Sequence, residues 1–140
     1  MAVAVREVAM DDIVALMPLW DEVEGRPSVE ALIGRIELSL ADHGFKILVA
    51  WEGQSAVGIA CVALTDVGSW AEIPGVQVSG LHVRGVNRHR GVAKALLNAA
   101  LQCADKWGCT QVVAMVPPGE RDANRFFARL GFAPVATHRV

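Results

Sequence analysis

Val3 and Val5, with Val8 after them, stand among polar or small residues at the spacing of a first strand. Asp11 or Asp12 is placed to cap a helix whose apolar positions are Ile13, Leu16, Met17 and Trp20. The stretch from Glu22 to Pro27 breaks it. Ser28 opens a second helix, with Leu32, Ile33, Ile36, Leu38 and Leu40 as a broad apolar face. Asp42-His43-Gly44 ends that helix, with Gly44 at the usual position past a C-terminus. Phe45 to Trp51 and Ala56 to Leu64 are apolar strands joined by a hairpin turn at Glu52-Gly53-Gln54. The second is nearly all apolar, so both of its faces are covered. Thr65 to Pro74 reads as a loop that holds Trp70 and Glu72.

The strand Val76 to Val83 breaks its own period. Val76 and Val78 share one parity, Leu81 and Val83 the other. A regular strand keeps one parity per face, so an extra residue inserted at Ser79-Gly80 reconciles them. Gly80 is a natural site for a β-bulge. A bulge there bends the strand away from its neighbour and opens a slot for an extended ligand. The alternative is an ordinary strand with Gln77 and Ser79 facing solvent.

After the strand comes a basic turn, then a helix with Val92, Leu96, Ala99, Cys103 and Trp107 along one stripe. Gly108 stops it. Thr110 to Val116 is a short buried strand ended by Pro117-Pro118-Gly119. Asp122 is placed to cap a short helix through Phe126, Phe127 and Leu130, closed by Gly131. Phe132 to Val140 is a last extended segment. The order is strand, two helices, three strands, helix, strand, helix, strand. That is a mixed α/β layer fold.

Length and composition narrow the function. A chain of 140 residues, 53% apolar and 20% charged, fits one globular domain (1–140) with a real core. The net charge of −2 argues against a protein that grips a nucleic-acid backbone, and against reading Arg88 to Trp107 as a DNA-recognition helix. Cys61, Cys103 and Cys109 form no CxxC pair, so they read as buried core thiols and not as a disulfide or metal framework. No metal is expected. The N-terminus lacks the pattern of a signal peptide, and no apolar run is long enough to span a bilayer. A cytoplasmic protein with no membrane partner is expected.

Against that acidic background the turn Arg88-His89-Arg90-Gly91-Val92-Ala93-Lys94 is a local basic patch. It aims several backbone N–H groups at one spot, where the helix dipole adds partial positive charge. Its simplest ligand is a phosphate or pyrophosphate.

The strand Leu81-His82-Val83, the turn Arg88-x-x-Gly91-x-Ala93 and the helix running into Leu96-Leu97 resemble the acetyl-CoA signature of the GNAT superfamily of N-acetyltransferases. About thirty residues on, Ala123 to Phe132 is similar to the second family signature, a helix ending in Leu-Gly-Phe. The resemblance covers nearly the whole chain. It implies a mostly antiparallel central sheet with splayed middle strands and helices on both faces. It implies acetyl-CoA, or another acyl-CoA, as donor, with its pyrophosphate on the N–H groups from His89 to Lys94. The pantetheine arm would pair with Leu81, His82 and Val83, beside Asn124 and Phe127. An amine would attack the thioester directly.

The acid–base positions depart from the family. The tyrosine that many members place before Leu-Gly-Phe is Phe127, and the chain has no tyrosine. The frequent glutamate on the bulged strand is Gln77, and the frequent asparagine before the second helix is Glu120, which leaves Asn124 for that cleft. His82, on the face opposite Leu81 and Val83, is the one group of the strand able to titrate near neutral pH. It and Glu72 are the candidates for catalysis; a satisfied histidine is the alternative. His89 reads as a phosphate neighbour. Trp51 and Trp107 read as core, while Trp20 and Trp70 are placed to line the acceptor pocket. The acidic run Asp21-Glu22-x-Glu24 suits a cationic amine and equally a solvated loop. The departures keep open a second function, a non-catalytic acyl-CoA-binding or regulatory module. Family members end in a hairpin of two strands, whereas one segment ends this chain. Either the sequence is a truncated member or a partner chain covers the open edge; a homodimer is the expectation.

Overall fold

Five strands lie side by side in chain order in the computed structural model, which describes residues 3–23, 25–42, 44–66, 74–87, 91–115 and 121–132, with backbone alone at 66 and 121–124. They are β1 (Ala4–Glu7), β2 (Phe45–Glu52), β3 (Ser55–Asp66), β4 (Pro74–Val83) and β5 (Gln111–Ala114). The first four pair antiparallel, as the short β2–β3 turn demands. The last pair, β4 and β5, is parallel because a helical crossover joins them. Helices α1 (Ile13–Trp20) and α2 (Val29–Ala41) cover one face. Helices α3 (Val92–Lys106) and α4 (Arg121–Arg129) cover the other. The mixed, mostly antiparallel layer fold read from the sequence is the observed one. Among the described residues no helix is long and apolar enough to cross a membrane. The expected final segment falls on residues 133–140, outside the described ones.

Two separate cores follow from burying both sheet faces. Leu16, Leu19, Leu32 and Ile36 pack on Ile47, Val49 and Ile59. Leu96, Leu97, Ala100 and Ala104 pack on Leu48, Ala60, Val62, Val76 and Val78. The two β3 sets differ in parity, which explains why β3 is apolar at almost every position. The α3 stripe is rotated from the expected one. Val92, Leu96, Leu97, Ala100 and Ala104 are buried, while Ala99, Cys103 and Trp107 flank them half-buried.

Several local expectations need correcting. Leu38 and Leu40 are not part of the buried face of α2; they are 53% and 54% exposed. A helical repeat from Leu32 and Ile36 brings position 39 to the sheet, and Ser39 fits there by donating its hydroxyl to the Ile36 carbonyl at 2.8 Å. Gly44 does not cap α2 in a left-handed turn. The helix ends at Asp42 in extended backbone, and Asp42 Oδ1 accepts the Gly44 N–H at 2.7 Å. Of the three cysteines only Cys109 is buried; Cys61 and Cys103 are partly exposed, and all three are free thiols. The expected loop after Leu64 is shorter, since β3 runs to Asp66 and β4 begins at Pro74.

Asp12 stands at the N-cap of α1 but does not cap it. Its carboxylate turns back instead. It accepts the Ala9 N–H at 2.7 Å and two bonds from the Arg6 guanidinium at 2.8 and 3.0 Å. Arg6 in turn lies over the Trp51 ring, 4.5 Å from its centroid. The Arg6 bond, with help from the Ala9 amide, holds the Asp12 carboxyl below its usual range against the opposing effect of burial. A depressed carboxyl contributes stability at neutral pH that is lost as pH falls through the folded-state value. Asp12→Asn is expected to destabilise by about 1–2 kcal/mol at pH 7, a charged hydrogen-bond value reduced because Arg6 is half-exposed. Denaturant unfolding of both proteins should show that difference shrinking below about pH 4.

Candidate active site

The bulge inferred from parity is present on β4. On β3, Ile59 and Cys61 are two residues apart; their partners His82 and Ser79 are three apart. Gly80 takes up the extra residue at φ +62°, a left-handed conformation that side chains resist. Leu81 and Val83 thereby return to the α3 face with Val76 and Val78. The ladder to β5 stops just before the bulge. Its last register pair is Val78 with Ala114, and Met115 donates to the Val78 carbonyl at 2.8 Å. Among the described residues, no strand pairs with the β5-side edge of β4 from Ser79 to Val83.

At the end of this open edge stands the start of α3. Gly91, at φ +78°, is the N-cap and has no side chain to cap with. The first helical bond runs from Ala95 N–H to the Gly91 carbonyl at 3.0 Å, so the amides of Val92, Ala93 and Lys94 precede the helical ladder. The Val92 side chain is 1% exposed, so only its backbone faces outward chemistry. Lys94 is exposed and Ala93 half-buried. This helix start sits close to the sheet because Gly58 makes room. A Cβ at Gly58 would lie 2.8 Å from Val92 Cγ1 and 2.9 Å from Leu96 Cδ1. A glycine inside an apolar strand is the sequence signal that could have pointed to this approach.

Leu81, His82 and Val83 line the open edge, half-buried. Phe127 is 5% exposed and meets Phe126 and Phe132 edge-to-face, each pair with centroids 5.2 Å apart. Its ring is part of the packing under the site, without a hydroxyl to donate. Asn124 is in α4, its side chain not described. Trp20 is half-buried on the other face, and its Nε1 donates to the Pro27 carbonyl at 3.3 Å. Gln77 is half-buried on β4. Arg88, His89, Arg90, Glu24, Trp70 and Glu72 lie outside the described residues. Cys61 is beside the bulge, its Sγ 3.7 Å from where a Gly80 Cβ would be. Burial pushes that thiol up, which favours its protonated form.

Glu22, which sequence reasoning left as one of an acidic run, proves to be a structural partner of β4. Its Oε2 accepts Arg84 Nε at 3.0 Å, its Oε1 accepts the Gly85 N–H at 3.0 Å, and His82 Nε2 is 3.7 Å from Oε1. The Gly85 amide, then Arg84, holds the Glu22 carboxyl below its usual range. No local motif announces a contact across 62 residues of chain.

Solved structures share this arrangement of sheet and helices. An aminoglycoside N-acetyltransferase in complex with CoA matches at TM-score 0.84 and 21% identity, covering 99% of this chain and 95% of that one. The ribosomal-protein-alanine N-acetyltransferase of Brucella melitensis matches at TM-score 0.79 and 21% identity, over 99% and 98%. A transcriptional regulator of Bacillus halodurans matches at TM-score 0.82 and 19% identity, over 99% and 100%. The fold is thus one that these proteins share. The sequence model of the acetyltransferase (GNAT) family matches residues 10–132, and the chain belongs to that family. No curated protein matches its sequence.

Proposed function

We propose that the chain moves an acetyl group from acetyl-CoA to a primary amine of a small molecule or peptide. Carrying this reading is the open edge of β4 at Leu81–Val83, which ends at the uncapped start of α3. A pantetheine arm is an extended chain with two amides and can add to that edge as a strand would. Its pyrophosphate then meets the amides and charges from Arg88 to Lys94. No metal takes part in this chemistry.

The reaction needs little acid–base machinery. The deprotonated amine nitrogen attacks the thioester carbonyl, a C–N bond forms, the C–S bond breaks and CoA leaves as thiolate. Holding amine and thioester together supplies much of the rate, and a backbone N–H near Val83 can bond the developing oxyanion. His82 and Glu72 are the proposed routes for the amine proton. Phe127 and Gln77 offer neither acid nor base, so water protonates the thiolate. An amine panel assayed for CoA release is expected to yield turnover. If His82 carries the proton, the rate falls as the histidine range is crossed toward acid, and Glu72→Gln leaves that profile in place. A profile abolished by Glu72→Gln points to the glutamate.

A second reading rests on the buried Phe127 ring. A family fold without the thiolate's usual proton donor can bind acyl-CoA and signal its presence without turnover. Tight binding with no CoA release across the panel selects it. In either reading a second copy covers the open C-terminal sheet edge as a homodimer, and sedimentation as a clean monomer at micromolar concentration would contradict it.

A further inference from the structure

We infer that Glu22 is a positioning residue for the transfer, fastening the α1–α2 loop to the end of β4 so that filling the acyl-CoA slot stiffens the loop further. This rests on the reading of that slot as an acyl-CoA site.

Both ends of the contact are stiff. On the loop side, Asp21, Glu22 and Val23 N–H groups bond back to the carbonyls of Met17, Leu19 and Trp20. Trp20 Nε1 reaches the Pro27 carbonyl, and Arg26 Nη1 reaches the Asp21 carbonyl at 3.0 Å. A displacement at Glu22 is therefore shared with its bonded neighbours among the described residues, Asp21, Val23, Arg26 and Pro27. On the strand side, Arg84 N–H bonds the Val57 carbonyl and Asn87 N–H bonds the Arg84 carbonyl, each at 2.9 Å. The buried Asn87 amide reaches Glu52 Oε2 at 3.4 Å. Those ties come from the sheet and the corner itself. Among the described residues, the tie from the α1 side is Glu22.

The chemistry at the contact favours a mechanical role over ligand binding. Glu22 uses one oxygen on a guanidinium and the other on a backbone amide. Arg84 is neutralised by that pairing, which removes it from the positive patch offered to phosphate. A carboxylate so engaged is also a poor anchor for a cationic acceptor. What the pair does is join two segments that flank the reacting groups: the strand that would hold the thioester and the loop on the acceptor side. A ligand that stiffens one stiffens the other, and the coupling is reciprocal.

Hydrogen exchange on the full chain, with and without acetyl-CoA, tests this. In the parent, acetyl-CoA should slow the amides of 21–28 about fivefold or more, along with those of 81–85 and 91–94, the lower range of coupling between sites. In Glu22→Ala the slot amides should still respond while 21–28 no longer do, and acetyl-CoA should bind about fivefold more weakly. Glu22→Gln keeps an acceptor for the Gly85 N–H and should restore part of both. A parent whose slot amides respond while 21–28 do not, or a Glu22→Ala loop that still responds, overturns the inference. A parent in which neither segment responds overturns the acyl-CoA reading beneath it as well.

Discussion

Deleting Gly80 is expected to leave a folded protein that binds acetyl-CoA about a hundredfold more weakly. The reason lies in the register. With Gly80 gone, Ser79 still faces Cys61 and His82 still faces Ile59, and Leu81 falls opposite Ala60. The ladder becomes regular while Leu81 and Val83 stay on the α3 face. Nothing leaves the core, so unfolding free energy should stay within about 1 kcal/mol of the parent. What disappears is the bulge just past Val78, where the described pairing with β5 ends. Losing two backbone hydrogen bonds to the ligand, at about 1–1.5 kcal/mol each, weakens binding about a hundredfold. Circular dichroism melts and acetyl-CoA titration of the deletion decide it. Unchanged affinity would mean that the bulge does not shape the site; an unfolded protein would make it a structural need instead.

Gly58→Val should damage both stability and binding. Even a single Cβ at this position would press on Val92 Cγ1 and Leu96 Cδ1, closer than carbon atoms sit, with the His82 carbonyl 3.3 Å away. Val92 is β-branched at the first turn of α3 and has little freedom to yield. The start of α3 must lift off β3, at a cost of about 2–3 kcal/mol for overpacking a filled core. The lifted turn carries the amides of Gly91 to Lys94 away from the open edge of β4. Acetyl-CoA affinity should therefore fall about tenfold or more even at temperatures where the variant is fully folded. If Gly58→Val melts lower yet binds acetyl-CoA as the parent does, the start of α3 is not part of the ligand site.

How legible was this in the chain itself? The most informative feature was a parity change over eight residues, because period 2 leaves a strand no other way to bury Val76, Val78, Leu81 and Val83 together. Gly80 as the site of the bulge followed from the same local rule. Failures came where tertiary packing chose among apolar residues. Leu38 and Leu40 are as apolar as Leu32, but helix geometry turned Ser39 inward and left them out. Asp12 has the composition of a cap, yet a guanidinium on β1 outcompetes the helix amides. Glu22 was visible only as charge. Its function as a tie depends on Arg84 and Gly85, which the fold alone brings to it. On the ligand side, Gly91 to Lys94 fall where the basic turn was expected, while the positions of Arg88, His89, Arg90 and Glu72 rest on the sequence.

Calorimetric titration of acetyl-CoA into the intact chain tests the central claim most directly. Saturable binding of one acetyl-CoA per chain, displaced by CoA, is the expected result. No heat and no displacement at millimolar ligand would contradict it, and with it the assignment of the slot between β4 and β5.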